Sequence, residues 1–307
     1  MKTVIIDGYT ANPGDLDWDV YKQFGEYVVY DRTEDTENDE LIIERMKDAD
    51  AIVVNGNEIT RSMMERCSNL RFICEAATGY NNIDVKAAKD LGIAVANVPG
   101  YSTDAVAQHT VALLLELTNH VAIHNEAVKT GKWFSSPDFC FTIKPLMLLA
   151  GKSLGIIGYG AIGKKVASIC SALGMTLNIY SNDPDAALAS DVISLHCPLN
   201  EGNKGFVNEA LISRMKDGVI LLNTARGGLI NEFDMAEALQ SGKVAALATD
   251  VLSTEPPAED NPLIGLENCI LTPHIAWIPK ETRQQLLDVC IKNQESFLAG
   301  GTLNRVE

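Results

Sequence analysis

The chain has 307 residues, of which 46% are hydrophobic and 21% charged, and that length predicts two domains, each able to bury a core. Its net charge of −16 and pI near 4.7 exclude nucleic acid and anionic membrane surfaces as expected partners, because both would repel it. No apolar run is long enough to span a bilayer and no signal peptide opens the chain, so a cytoplasmic protein is expected.

Cys67, Cys74, Cys140, Cys170, Cys197, Cys269 and Cys290 are odd in number and form no CxxC pair, which predicts reduced thiols and no metal site. In chain order, residues 3–6, 26–30, 51–54, 70–76 and 93–97 read as short β-prone strands, with helices at 41–46, 62–67 and 85–91 between them. Such alternation predicts a parallel sheet. Residues 32–40 read as a charged loop. The turn Thr78-Gly79-Tyr80-Asn81-Asn82 either offers backbone amides to a small anion or is a plain strand-to-helix connection, and spacing alone does not separate the two.

Pro99-Gly100-Tyr101 breaks the chain, and a long helix from Ser102 through Leu117 leads into a second domain. Residues 120–150 hold a further helix and the segment 133–141, in which Trp133, Phe134, Phe139 and Phe141 are expected to be exposed. Exposed aromatics fit a subunit contact, so 120–150 is read as a dimerisation arm and the protein as a homodimer.

Next come a strand at 153–157, the turn Gly158-Tyr159-Gly160-Ala161-Ile162-Gly163, and a helix with apolar residues at Ile162, Val166, Ile169, Cys170 and Leu173. Glycines between a strand and a helix are the signature of a dinucleotide site: a tight turn, close approach of a pyrophosphate, and close packing of helix on strand. The helix N-terminus favours the phosphate charge. Strands follow at 192–196, 219–223, 245–250 and 269–272, with helices at 209–215 and 232–241, and a terminal amphipathic helix at 280–298 returns to the N-terminal domain. The expected fold is α/β, with two doubly wound parallel-sheet, Rossmann-like domains and a cleft between them. Residues 1–100 and 277–307 form the substrate domain and 101–276 the dinucleotide-binding domain.

Arg226, Glu255 and His274 stand at or just beyond the carboxyl ends of successive predicted strands, the edge where ligands bind in such sheets. Singly, Arg226 also reads as a surface charge, Glu255 as a residue of a Pro-rich loop and His274 as a packed histidine. Together their types suit the reduction of a 2-oxo acid. The arginine grips a carboxylate, the histidine delivers a proton to the carbonyl oxygen, and the carboxylate beside it favours the imidazolium.

As a set, Gly158 to Gly163, His196-Cys197-Pro198-Leu199, Asn223-Thr224-Ala225-Arg226-Gly227-Gly228, Asp250-Val251 with Glu255-Pro256, and Thr272-Pro273-His274 resemble the D-isomer-specific 2-hydroxyacid dehydrogenases nearly end to end. The resemblance implies Arg226 as the substrate-orienting arginine, with His274 as acid/base and Glu255 as its partner. It implies that Asp250 contacts the nicotinamide amide and that Cys197, Pro198, Asn203, Thr224, Ala225 and Ala276 line the cofactor cleft. Ser181 would lie at the adenosine ribose, while Asn57 and the amides near Thr78 and Gly79 would take the substrate carboxylate. Asp138-Phe139-Cys140-Phe141 and His274-Ile275-Ala276-Trp277 are similar to the glycerate dehydrogenase, or hydroxypyruvate reductase, branch. A D-lactate-type dehydrogenase is the alternative enzyme. The other class is a dinucleotide-sensing corepressor of the C-terminal-binding type, whose extra tails are expected to have no counterpart here.

Two features depart from the family pattern. Where an acid usually bonds the adenine ribose stands Ser181, yet no Lys or Arg lies between Asn182 and Asp191 to attract a 2′-phosphate, so NAD(H) is favoured over NADP(H). Only the nine residues 182–190 join the strand ending at Ser181 to the next, whereas a parallel crossover usually takes a dozen or more.

Overall fold

The structure is a computed structural model that describes residues 1–33 and 40–307. Most of the charged loop expected over 32–40 lies outside the described residues. The chain forms two compact units, Met1–Ser102 with Ile278–Glu307, and Thr103–Trp277.

The first unit begins with β1 (Lys2–Ile5), α1 (Gly8–Ala11), β2 (Glu26–Val29), α2 (Glu40–Met46) and β3 (Ala51–Val54), then α3 (Arg61–Glu65), β4 (Phe72–Glu75), α4 (Val85–Asp90) and β5 (Ala94–Ala96). The strands are all parallel, in the order β2-β1-β3-β4-β5. The three central-to-edge strands β3, β4 and β5 are buried at every position, as expected of a parallel sheet covered on both faces. Ile42, Met46, Met63, Ile73 and Ala87 form the core on one face. Thr60 caps α3 through the Met63 amide and Asp84 caps α4 through that of Ala87, so each helix start is satisfied locally. Residues 18–24, between β1 and β2, form a 3-10 turn that buries Tyr21 completely. Trp18, Tyr21 and Phe24 recur every third residue, the 3-10 period.

The second unit contains α5 (Thr103–Asn119), α6 (Val121–Lys129), β6 (Ser153–Ile157), α7 (Ala161–Ala172), β7 (Thr176–Ile179), α8 (Pro184–Leu188), β8 (Val192–Leu195), α9 (Glu209–Arg214), β9 (Val219–Asn223), α10 (Glu232–Ser241), β10 (Val244–Thr249) and β11 (Cys269–Leu271). Its six parallel strands run β11-β10-β9-β8-β6-β7. The chain enters at β6, steps outward to β7 and then crosses back to β8, so strand order reverses at β6, where doubly wound sheets bind ligands. One face packs Leu114, Val166 and Cys170, the other Leu211, Met235 and Leu239. The last helix, α11 (Lys280–Leu298), returns to the first unit, where Phe297 stacks on Phe72 of β4 at 4.8 Å between ring centroids.

In the arm after α6, Phe134 (93%) and Phe139 (89%) are almost fully exposed and Trp133 half so, whereas Phe141 is partly buried; three of the four aromatics, not all four, face out. Among the described residues no helix is long and apolar enough to cross a membrane.

The crossover from β7 to β8, too short by the usual measure, is made by the single-turn helix α8 lying directly on β6. Asp183 caps it through the Ala186 amide at 3.0 Å. Asn178 of β7 donates to the Ala186 carbonyl at 3.2 Å and to Ser190 Oγ at 3.0 Å. A dozen residues are not needed because position 155 of β6 is glycine: a Cβ there would overlap the Ala187 carbonyl. Gly155→Ala is therefore expected to destabilise the second unit by about 1–3 kcal/mol through overpacking, read as a lower urea or thermal midpoint. An unchanged midpoint would mean that α8 is not seated on β6.

Candidate functional site

One row of strand register organises the site. Ile157, Leu195, Asn223, Thr249 and Leu271 are successive partners across β6, β8, β9, β10 and β11. The next residue on each strand, namely Gly158, His196, Thr224, Asp250 and Thr272, starts a loop at the same carboxyl edge. The sequence-predicted site residues of the second unit sit on these five loops, except Ala161, Ile162 and Gly163, which open α7, and Ser181, which follows β7.

Gly158 has φ +102°, a left-handed conformation that an ordinary residue avoids. A Cβ on it would also strike the His196–Cys197 backbone, and one on Gly163 would strike the Gly158 carbonyl, so the turn is closed against β8 and against its own helix. Gly160, between them, faces open space. It is the N-cap of α7 and no side chain caps that end, which leaves first-turn amides and the positive end of the helix dipole for an anion. These features fit a pyrophosphate. Tyr159 is exposed and Ile162 half-buried.

The neighbouring loops are held largely by their own side chains. Asn203 donates to the Pro198 carbonyl at 2.8 Å and accepts the Asn200 amide at 2.7 Å, closing the turn after Cys197. Thr224 is buried and its hydroxyl pairs with Thr110 of α5 at 2.7 Å. The Ala225 amide bonds Asn223 Oδ1 at 3.1 Å. Ser181 is exposed, with its hydroxyl 3.4 Å from Asn182 Oδ1.

Arg226 projects from the edge with one guanidinium nitrogen on the Ala225 carbonyl at 2.7 Å. Its neighbour Gly227 lies against the Leu252 backbone, where any Cβ would overlap. Leu252 in turn donates its amide to Glu255 Oε1 at 2.8 Å, and Glu255 Oε2 meets His274 Nδ1 at 2.6 Å. Backbone packing and two hydrogen bonds thus link the arginine, carboxylate and histidine loops in series. A carboxylate on Nδ1 selects the tautomer with its proton there and leaves Nε2 for a reactant. Burial pushes the Glu255 carboxyl up, but the hydrogen bond and charge of His274 and the Leu252 amide outweigh it, leaving it below the usual value. His274 itself has φ +53°, an uncommon conformation for a non-glycine residue.

Asp250 maintains that conformation. It is 1% exposed, and its carboxylate accepts Thr272 Oγ1 (2.5 Å) and the amides of Ile275 (2.9 Å) and Ala276 (2.8 Å), the latter two immediately following His274. Because the Thr272 hydroxyl donates to Asp250, His109 Nε2 of α5, 3.0 Å away, donates to Thr272. Burial raises the Asp250 carboxyl, but His109, 3.5 Å away, and the bonds from Thr272 and the two amides bring it below its ordinary value. His109 was missed in the sequence, where Thr272 was marked only as part of its motif; the signal for His109 was a histidine within the stripe of α5 that buries Val106, Thr110 and Leu113. The row's other histidine, His196, bonds Ser194 Oγ at 2.8 Å, and burial pushes its pKa down to about 4. It is neutral at pH 7, so His274 is the one of these two histidines with a carboxylate partner.

In the first unit, Asn57 donates to the Thr33 carbonyl and receives the Asn82 side chain on its own carbonyl at 2.9 Å. Thr78 bonds the Val98 carbonyl at 2.9 Å and accepts Asn97 at 2.8 Å. Asn57, Thr78 and Gly79 stand on the loops after β3 and β4, again at carboxyl ends.

Comparison with known proteins agrees with this layout. Residues 111–276 match the family described as D-isomer specific 2-hydroxyacid dehydrogenase, NAD binding domain. The chain is 50% identical over 321 residues to a hydroxypyruvate reductase of Blautia hydrogenotrophica, covering 100% of this chain and 99% of that one. Two solved structures are similar over the whole chain. An acyclic imino acid reductase in complex with NADPH and D-Arg has TM-score 0.85 and 31% identity, covering 100% of both chains. D-lactate dehydrogenase from Aquifex aeolicus, complexed with NAD and lactic acid, has TM-score 0.82 and 28% identity, covering 100% of this chain and 99% of that one.

Asp250→Ala removes the acceptor of two amides and a hydroxyl. It is expected to cost at least about 1–3 kcal/mol, the penalty for orphaned buried donors, measured by urea unfolding. An unchanged midpoint would contradict the bonds described.

Proposed function

Because the chain belongs to the D-isomer specific 2-hydroxyacid dehydrogenase family, we propose that it reduces hydroxypyruvate, and glyoxylate as a second small 2-oxo acid, to the corresponding 2-hydroxy acid. The observation that carries this reading is the Glu255–His274 pair, 2.6 Å apart, on the same register row as the glycine-rich turn and Arg226. The full-length likeness to a hydroxypyruvate reductase supports the choice of substrate.

Reduction of a 2-oxo acid adds a hydride to the carbonyl carbon and a proton to its oxygen, and a nicotinamide dinucleotide, when bound, supplies the hydride. The backbone from Gly158 to Gly163 would hold its pyrophosphate, and Cys197, Pro198, Asn203, Thr224, Ala225, Asp250 and Ala276 would line the remainder of its site. His274 presents its Nε2 proton to the carbonyl oxygen as negative charge develops there. Glu255 fixes the ring through Nδ1 and stabilises the imidazolium before transfer. Arg226, steadied at one nitrogen by the Ala225 carbonyl, grips the substrate carboxylate and turns the carbonyl toward His274. By the family resemblance, Asn57 and the amides at Thr78 and Gly79 also take part in carboxylate binding.

NAD(H) is the cofactor this reading favours over NADP(H). Ser181 and Asn182 offer no cation for a 2′-phosphate. The bases of the next segment are paired, Arg214 with Asp185 at 2.9 Å and Lys216 with Asp191 at 2.6 Å. Exposed Phe134 and Phe139 on the arm support a homodimer, since apolar surface of that kind is usually covered by a partner.

A panel of hydroxypyruvate, glyoxylate, pyruvate and bulkier 2-oxo acids with NADH and NADPH tests the assignment. Hydroxypyruvate with NADH should give the highest kcat/KM, and failure on all of them refutes the reading. His274→Ala should lower kcat by about 10²–10⁴-fold with NADH affinity nearly unchanged; near-normal turnover would remove His274 from proton transfer. Phe134→Glu with Phe139→Glu should shift the species seen by light scattering from dimer to monomer, and a wild type that is already monomeric would refute the interface.

A further inference from the structure

Glu75 closes β4, and its side chain is 1% exposed. Among the described residues, burial, Asn82 and the Gly56 amide set its environment, with no charged partner. Its carboxyl receives Asn82 Nδ2 at 2.9 Å and the backbone N–H of Gly56. Each donor belongs to a loop assigned above to substrate binding. Gly56 precedes Asn57 on the loop after β3, and Asn82 follows Thr78 and Gly79 on the loop after β4. The same Asn82 amide group also donates to the Asn57 carbonyl at 2.9 Å, while Ile59 and Asp84 complete the lacing through Ile59 N to Asn82 O (2.8 Å) and Asp84 N to Ile59 O (3.0 Å). A carboxyl buried with neutral donors alone is an expensive way to tie two loops, since its charged form cannot be compensated. Such residues are found where the charge state matters.

We propose that Glu75 is a positioning residue for the substrate: an uncharged clasp that holds the loops after β3 and β4 in the shape that receives the substrate carboxylate. The inference rests on the reductase reading above and deepens it. An ionised Glu75 would place a negative charge directly beneath loops that must accept an anion, so the clasp works only while protonated. Burial supplies that condition by pushing the carboxyl from its usual 4.5 up to about 8, against the lowering effect of the Asn82 and Gly56 bonds.

The titratable groups around it do not replace it as the source of a pH response. On its own strand lies Cys74, and on α11 Cys290, whose thiol is pushed up by Cys74, burial and Glu75. Arg283 of α11 is bound to Asp15 through both terminal nitrogens at 2.7 Å. On the other side, Arg61 pairs with Asp90 and Glu65 at the surface, Lys86 and Lys89 are exposed, and Asp84 is spent capping α4. Glu58, on the loop after β3, is exposed.

The test is the ratio of wild-type KM for hydroxypyruvate to that of Glu75→Gln, measured with NADH from pH 6 to pH 9.5. Glutamine keeps the size and an acceptor but never ionises, so the ratio isolates Glu75 from the titration of His274. It should be near one below pH 7 and climb by up to about tenfold by pH 9, following one proton with a pKa of about 8, while the kcat ratio stays flat. Asn82→Ala provides a second reading that does not depend on the glutamine variant folding. Loss of that donor removes an interaction favouring the carboxylate, so the alkaline rise in KM should move to higher pH. Unfolding offers a third. A raised native pKa stabilises fully below the unfolded value near 4.5, and that stabilisation is lost as pH rises through about 8, so Glu75→Gln should gain stability relative to wild type across that window. A flat KM ratio in an active enzyme, or an unmoved limb in Asn82→Ala, overturns the clasp alone. A wild type inactive on every 2-oxo acid overturns the reductase reading, and the clasp with it.

Discussion

Everything chemical in the second unit depends on one constraint, the in-register parallel pairing of β6, β8, β9, β10 and β11. Strands buried on both faces do not signal their register by alternation, so packing must set it. Gly155 under α8 pins β6, and the closed turn at Gly158 pins β6 against β8. From there the row Ile157, Leu195, Asn223, Thr249, Leu271 delivers five loops to one edge. A slip of one residue at β10 or β11 would separate Asp250 from the amides of Ile275 and Ala276 and dissolve the turn that presents His274.

Three buried or half-buried carboxyls show how environment, not residue type, decides charge. Asp250 is 1% exposed yet held as an anion by three hydrogen-bond donors with His109 beside them, Glu255 by a histidine and one amide, while Glu75, with two neutral donors, is pushed up to about 8. Desolvation acts in the same direction on all three. The number and charge of the donors decide the outcome. The carboxylates that hold His274 and its loop are ionised, and the one beneath the loops proposed to receive the substrate anion is not.

The long helices and nearly all strands were legible in the sequence, because β-prone runs and helical spacing are local signals. The terminal helix was read at 280–298, the span it occupies. What escaped was either short or non-local. The turn at Trp18–Phe24 follows a period of three, between the two patterns that sequence reading seeks. α8 has five residues, too few to show a period at all. The Arg226, Glu255 and His274 loops could be placed on one edge from strand ends alone. Their linkage through Gly227, Leu252 and the Glu255 carboxylate could not, because it depends on backbone contact. His109 lies 163 residues from its partner Thr272, and Glu75 is at the end of an apolar strand where nothing in the sequence marks it as enclosed.

The compact crossover also shapes the adenosine edge. Folding nine residues over β6 demands a helix that starts at once, and Asp183 is committed to capping it. The first acid after Ser181 is therefore unavailable as a substitute for the ribose-binding carboxylate, and Asp185 and Asp191 are committed to Arg214 and Lys216. What remains at that edge is neutral, Ser181 and Asn182, which offer a hydroxyl and an amide in place of a charge. The features that fit a dinucleotide lie instead at the other end of the turn, where an uncapped helix start and Gly158 are supported by the same sheet that Gly155 makes compact. Crossover length and the lack of a free acid after Ser181 are thus two consequences of one compact helix packed on β6.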